Sequence, residues 1–139
     1  MSYGTSSTSY LGNDILSRSP EWLVPLLYEH LVINLKRAGV CIDEGNLEGK
    51  SAALGKANEI VMELASSLNP EQGGEIAKQL GSLYAFLAGE ILEIGRTLDR
   101  SRLERLSAMI ADLHEAWVQA AEQVAPRTRS GAAPVASVE

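Results

Sequence analysis

Three clusters of helix-stopping residues divide an otherwise unbroken helical sequence, and their spacing constrains the fold more than any other feature. Gly45-Asn46 comes first, Asn69-Pro70 with Gly73-Gly74 second, and Gly95 followed by Asp99 third. Asn and Asp favour helix starts, Gly favours helix ends, and Pro is tolerated at a first turn but not inside a helix. The clusters leave four runs with apolar residues at +3/+4 steps: Ser19 to Glu44, Leu47 to Leu68, Glu75 to Ile94, and Arg100 to Val124. No stretch alternates in the manner of a strand, and no segment repeats. Four helices joined by short loops predict an all-α protein, an antiparallel four-helix bundle. Residues 1–18, rich in Ser, Thr, Gly and Tyr, are expected to form a flexible N-terminal arm. The bundle spans 19–125, and Pro126 is expected to end the last helix and begin a disordered C-terminal tail, 126–139.

The first run carries the most information. Ser19 suits an N-cap, Pro20 the first helical position, and Glu21 the positive end of the helix dipole. Val24, Tyr28, Leu31, Leu35, Ala38 and Ile42 form a core-facing stripe, broadened by Leu23, Leu27 and Cys41. Glu29, Lys36 and Asp43, with His30, Arg37 and Glu44, mark a polar face. Leu26, Ile33 and Val40 fall between these two charged rows. Burying each aliphatic side chain fully would release roughly 1.5–3 kcal/mol, so this outer row implies a second surface to be covered, either by N-terminal residues or a neighbouring helix of the same chain or by a partner. Pro25 cannot donate to the carbonyl of Glu21 and is expected to bend the first turns.

The other runs read more simply. Leu54, Ala57, Val61, Leu64 and Leu68 form the stripe of the second helix, with Ala53, Ile60 and Ser67 as a small-residue face. In the third, Ile76, Leu80, Leu83, Leu87, Ile91 and Ile94 point one way. Ala77, Gly81, Tyr84, Ala88 and Leu92 adjoin them, and Gly95 is the expected stop. Asp99 is placed to cap the fourth, whose Leu103, Leu106, Ile110, Leu113, Trp117, Ala120 and Val124 follow a heptad.

Composition narrows the function classes. A net charge of −6 without a Lys/Arg cluster argues against nucleic acid. The apolar runs are too short for a membrane span, and the N-terminus lacks the parts of a signal peptide. One cysteine, Cys41, excludes an internal disulfide and fits a reducing compartment. These features predict a cytoplasmic protein that does not insert in a membrane.

Catalytic and metal-binding patterns are sparse. His30 and His114 are each solitary, and neither has a Glu three residues before it, as a di-metal bundle requires. Cys41 has only Arg37 nearby as an activating charge and reads as a small core residue. Gly73-Gly74 lacks the lysine and hydroxyl of a phosphate loop. The expectation is no enzyme, no cofactor and no metal. One alternative is a histidine phosphotransfer bundle using His30. Against it, Leu31-Val32-Ile33 follows the histidine, Lys36 comes late, and His30 is expected on a solvated face.

The order of several blocks is more specific. Tyr10, Ile15, Ser17 and Ser19-Pro20, then Leu23 and Leu27-Tyr28-Glu29, resemble the N-terminal signature of the flagellin-specific export chaperones, the FliS family. The resemblance continues through Ile42-Asp43-Glu44-Gly45-Asn46-Leu47, the stretch Lys56 to Leu64, Ser67-Leu68, Gly73 to Ala77 and Leu83-Tyr84. It ends in Leu113-His114-Glu115-Ala116-Trp117, covering about Tyr10 to Val124. Three departures stand out: Pro25 in an aliphatic position, His30 in place of a small residue, and Gly95-Arg96-Thr97 before the fourth helix.

The resemblance implies a cytoplasmic chaperone that binds the disordered C-terminal segment of flagellin, prevents premature polymerisation and assists delivery to the export gate of the flagellar type III apparatus. With the outer row, it implies client contacts at Ile15 in the arm and at Leu23, Leu26, Tyr28, Ile33 and Val40 on the first helix. Leu54, Ala57 and Leu64 on the second helix and Tyr84, Leu87 and Ile91 on the third complete the set, several of which must also serve the core.

Overall fold

The computed structural model of the chain describes the backbone of residues 22–132 and the side chains of residues 22–124. Among these residues four helices follow one another: α1 (Leu23–Asp43), α2 (Leu47–Ser66), α3 (Pro70–Thr97) and α4 (Arg100–Ala132). Each packs against its neighbours in sequence, and α1 also packs against α4, which closes the bundle. The expected all-α bundle is what forms. The arm, Ile15 and the Ser19-Pro20 cap lie outside the described residues, as do residues 133–139.

The α1–α2 joint follows local rules closely. Gly45 takes a left-handed conformation (φ 72°). Its N–H donates to the Ile42 carbonyl (3.1 Å), and that of Asn46 donates to the Cys41 carbonyl (2.8 Å). This pair of bonds satisfies carbonyls that a helix end otherwise leaves open. The Asn46 side chain then accepts from the Gly49 N–H (2.9 Å), capping α2. A Cβ on Gly49 would lie 2.7 Å from Cys41 Sγ, so only glycine lets half-buried Cys41 sit that close.

At the second joint the Asn69 side chain accepts from the N–H groups of Glu71 and Gln72, with Pro70 at the first turn. Gly74 is non-helical (φ 55°, ψ −128°), so regular helix begins at Glu75 as expected.

The third joint differs from expectation. Gly95 does not stop α3, which continues to Thr97, and Leu98 makes the turn in a left-handed conformation (φ 59°). Gly95 serves packing instead, since a Cβ there would lie 3.4 Å from Leu54 Cδ1 on α2. Asp99 accepts from the Arg102 N–H (3.0 Å), as a cap should. Nor does α4 end at Pro126, since its backbone continues to Ala132.

The core runs the length of the bundle. Tyr28, Leu31, Leu35 and Ala38 meet Ala53, Leu54, Ala57, Ile60, Val61 and Leu64 of α2, and Tyr84, Leu87, Ile91 and Ile94 of α3. Leu103, Leu106 and Ile110 of α4 complete it. On α4 the heptad fails after Trp117, because Ala121 is buried while Ala120 and Val124 are exposed. Eighteen residues separate Leu103 from Ala121, a whole number of turns at 3.6 residues per turn. A strict heptad drifts off the axis of a straight helix by about 20° per repeat. Two ion pairs tie α4 to the other helices near its start. The Arg100 guanidinium meets Asp43 of α1 (3.0 and 3.2 Å), and that of Arg102 meets Glu90 of α3 through two bonds of 2.9 Å. The Arg102 guanidinium holds the Glu90 carboxyl below the usual carboxylate range.

Candidate binding surface

α1 buries a wider arc than its main stripe. Beside the stripe, Leu27, Asn34 and His30 are buried on one side and Gly39 and Pro25 on the other. His30 is therefore not on a solvated face, being only 5% exposed. The Asn34 amide donates to the His30 carbonyl (2.8 Å), and its oxygen accepts from Arg37 (3.2 Å). A buried imidazole gives a phosphoryl donor no approach, which removes the phosphotransfer alternative. Pro25 is buried in the first turn of α1, and the Glu21 carbonyl on which the expected bend depends lies outside the described residues.

The outer row divides. Leu26 is buried, whereas Ile33 (41% exposed) and Val40 (53%) remain open to solvent. Leu23 is half-buried at the start of the helix. Tyr28, Ala57, Leu64 and Leu87 lie in the core, and Tyr84 lies there too, at the edge of a small surface hollow. Leu54 and Ile91 are core residues that also line a surface groove.

That groove, about 740 Å³, lies between α2 and α3. Leu54, Ala88, Ile91 and Leu92 supply its apolar walls, with Gly55 and Gly89 on the facing helices. Leu92, expected to adjoin the core, is 75% exposed. At one end the Lys50 ammonium donates to the Gly95 carbonyl (3.2 Å), and Arg96 pairs with Glu93. The Arg96 guanidinium holds the Glu93 carboxyl below its usual range. The groove was not legible as a whole from the sequence. Its available signal was the pair of glycines inside otherwise good helical stretches.

A smaller hollow of about 350 Å³ sits at the opposite end of α3, lined by Val24, Leu68, Ile76, Leu80, Tyr84 and Trp117 among others. Ile76, expected to face inward, is 68% exposed because it stands in the first turn after the Gly74 break. Beneath the hollow the Tyr84 and Tyr28 hydroxyls share a 3.1 Å hydrogen bond across the bundle. The Tyr28 ring lies 6.1 Å from that of Trp117, tilted by 35°. Burial raises the pKa of both tyrosines above the ordinary value. The bond to Tyr28 raises Tyr84 further, while bonds from Tyr84 and Trp117 oppose the rise at Tyr28. Among the described residues no group of three His, Cys, Asp or Glu side chains is placed to hold a metal, and no helix is long and apolar enough to cross a membrane.

Comparison with known proteins gives this geometry a family. The model of the family described as flagellar protein FliS matches residues 3–124. The chain belongs to the FliS family. It is 31% identical over 106 residues to the flagellar secretion chaperone FliS of Salmonella typhimurium, covering 76% of this chain and 78% of the relative. The Vibrio cholerae protein of the same name is 31% identical over 107 residues, covering 77% and 79%. That of Bacillus subtilis is 26% identical over 113 residues, covering 81% and 84%. Of the departures from the FliS pattern, Pro25 and His30 are absorbed into the buried arc of α1, and Gly95-Arg96-Thr97 builds one end of the α2–α3 groove.

Proposed function

We propose that this FliS-family chain is a flagellar export chaperone. It holds the C-terminal segment of flagellin in the cytoplasm, keeps it from polymerising, and assists its delivery to the flagellar type III export gate. Family membership supports the chaperone role, and the open apolar groove between α2 and α3 is the observation that carries client binding. A disordered client segment would fold into helices on this surface, with burial of apolar area offsetting the entropy of ordering. Ile33 and Val40 offer a separate exposed apolar row on α1. The role calls for no turnover and no cofactor, only a surface that holds a client and later releases it.

Titration calorimetry with a peptide from the C-terminal helices of the same organism's flagellin tests the reading, with circular dichroism alongside. One-to-one saturable binding, a negative heat-capacity change and a gain in helicity are expected. Ile33→Asp should keep the wild-type dichroism and weaken the binding. A flat titration with the wild-type chain overturns the reading.

A further inference from the structure

Glycine inside a helix is unfavourable unless something needs the missing side chain. Gly95 and Gly49 have such a reason within the chain, since a Cβ at either position meets a neighbour. Gly55 and Gly89 have none, for a Cβ on either would find no atom within 4 Å. Both lie mid-helix, on facing helices, in the same groove. The space they leave is unused by the described residues.

We propose that Gly55 and Gly89 keep open a seat for one large aliphatic side chain of a client helix, and that Lys50 sets the helix's direction by receiving an acidic residue from it. The proposal rests on the chaperone reading above. The occupant is a helix because α2 and α3 have spent their backbone groups on their own hydrogen bonds. An extended peptide would bury unpaired N–H and C=O groups in an apolar cleft, whereas a helix arrives with them satisfied. From Lys50 to Asn58 the groove is about 12 Å long at 1.5 Å per residue, enough for roughly two turns of a partner helix. Its two ends differ in charge. Asn58 stands at one, while at the other the Lys50 ammonium is anchored by the Gly95 carbonyl, which leaves its charge in place. The neighbouring Arg96 is already engaged by Glu93. A client helix with an aliphatic residue at its centre and Asp or Glu toward the Lys50 end matches both features.

The test titrates the flagellin C-terminal peptide into the full chain and into Gly55→Leu, Gly89→Leu, Lys50→Gln and Ala111→Leu. The last makes a comparable change on the exposed side of α4. Gly55→Ala and Gly89→Ala serve as milder variants should either leucine disturb the fold. The glycine variants should melt at or above the wild-type temperature, because a better helix former replaces glycine in open space. The leucine variants should bind roughly tenfold or more weakly, as expected where an occupied site is overfilled. Lys50→Gln should bind a few-fold more weakly at low salt, with the gap closing as salt is raised, and Ala111→Leu should bind like wild type. Wild-type affinity in the glycine and Lys50 variants would overturn the seat while leaving the chaperone reading standing. No binding by the wild-type chain would remove both. A wild-type chain that sediments as a dimer and is split by the leucines would assign the groove to self-association and overturn the proposal.

Discussion

The two ends of α3 solve the same packing problem in opposite ways. Toward its start, Tyr84 reaches across the bundle to Tyr28, with the tilted Trp117 ring beside them, so aromatic rings fill the core beneath the small hollow. Toward its end, Gly89 faces Gly55 across the groove, Leu92 stands in solvent, and the space is left open. Both ends belong to one regular helix built on one apolar stripe. Side-chain volume, more than hydrophobicity, separates a core that stabilises the chain from a surface available to something else. Filling the open end should therefore cost nothing in stability, whereas emptying the filled end should cost a great deal.

The largest effect sets the reference. Ile110→Asp places a carboxylate at a fully buried position of α4 within the apolar core and should unfold the chain in thermal and denaturant melts. Next comes Tyr84→Ala, which empties the filled end. By analogy with other buried aromatics it should cost about 3–5 kcal/mol in urea unfolding. A loss below about 1 kcal/mol would mean that the aromatic end is no better packed than the groove, and the contrast would fail.

The third effect appears in alkaline solution. The folded state holds both tyrosines protonated above the pH at which they ionise in the unfolded chain, near 10. The unfolded state then binds fewer protons, so stability falls as pH rises past 10 and is unaffected by this pair below it. The slope should approach about 1.4 kcal/mol per pH unit for each tyrosine. Tyr84→Phe should roughly halve it, a result that unfolding curves at increasing pH can read. A slope unchanged by the substitution would remove the pair from the account. The smallest effect has the opposite sign. Gly89→Ala should stabilise the chain by about 0.5–1 kcal/mol, and a destabilisation would show that the groove is tighter than its geometry implies.

The sequence carried the architecture well because its signals are local. Asn46 and Asp99 cap the helices they were expected to cap, Asn69 caps a helix start where only a break was expected, and Gly74 breaks α3 where two glycines adjoin. Errors arose where a local sign had a distant cause. Gly95 looked like a helix stop but lies within α3, packed against Leu54 of another helix. His30 looked solvated on a charged row, yet the buried arc of α1 includes it. Ala120 and Val124 fit a heptad that a straight helix does not keep. For the binding surface, periodicity separates apolar from polar faces but does not divide one apolar face into core and groove. Hence Tyr28, Ala57, Leu64 and Leu87, expected to touch the client, lie in the core, and Tyr84 lies at its edge under the small hollow, while Gly55, Gly89 and Lys50 of the groove were not singled out.

The α1–α2 joint bears on the order in which the chain folds. Its carbonyl-satisfying turn at Gly45, the Asn46 cap and the Cys41–Gly49 approach all close within nine residues of sequence, so the hairpin pays almost no loop-closure entropy. Contacts this local form early. Since chains emerge from the ribosome N-terminal end first, α1 and α2 can pair while α4 is still being made. The groove needs only residues 50–96 and is complete once α3 docks. On that timetable the surface offered to a client exists before the last helix closes the bundle behind it.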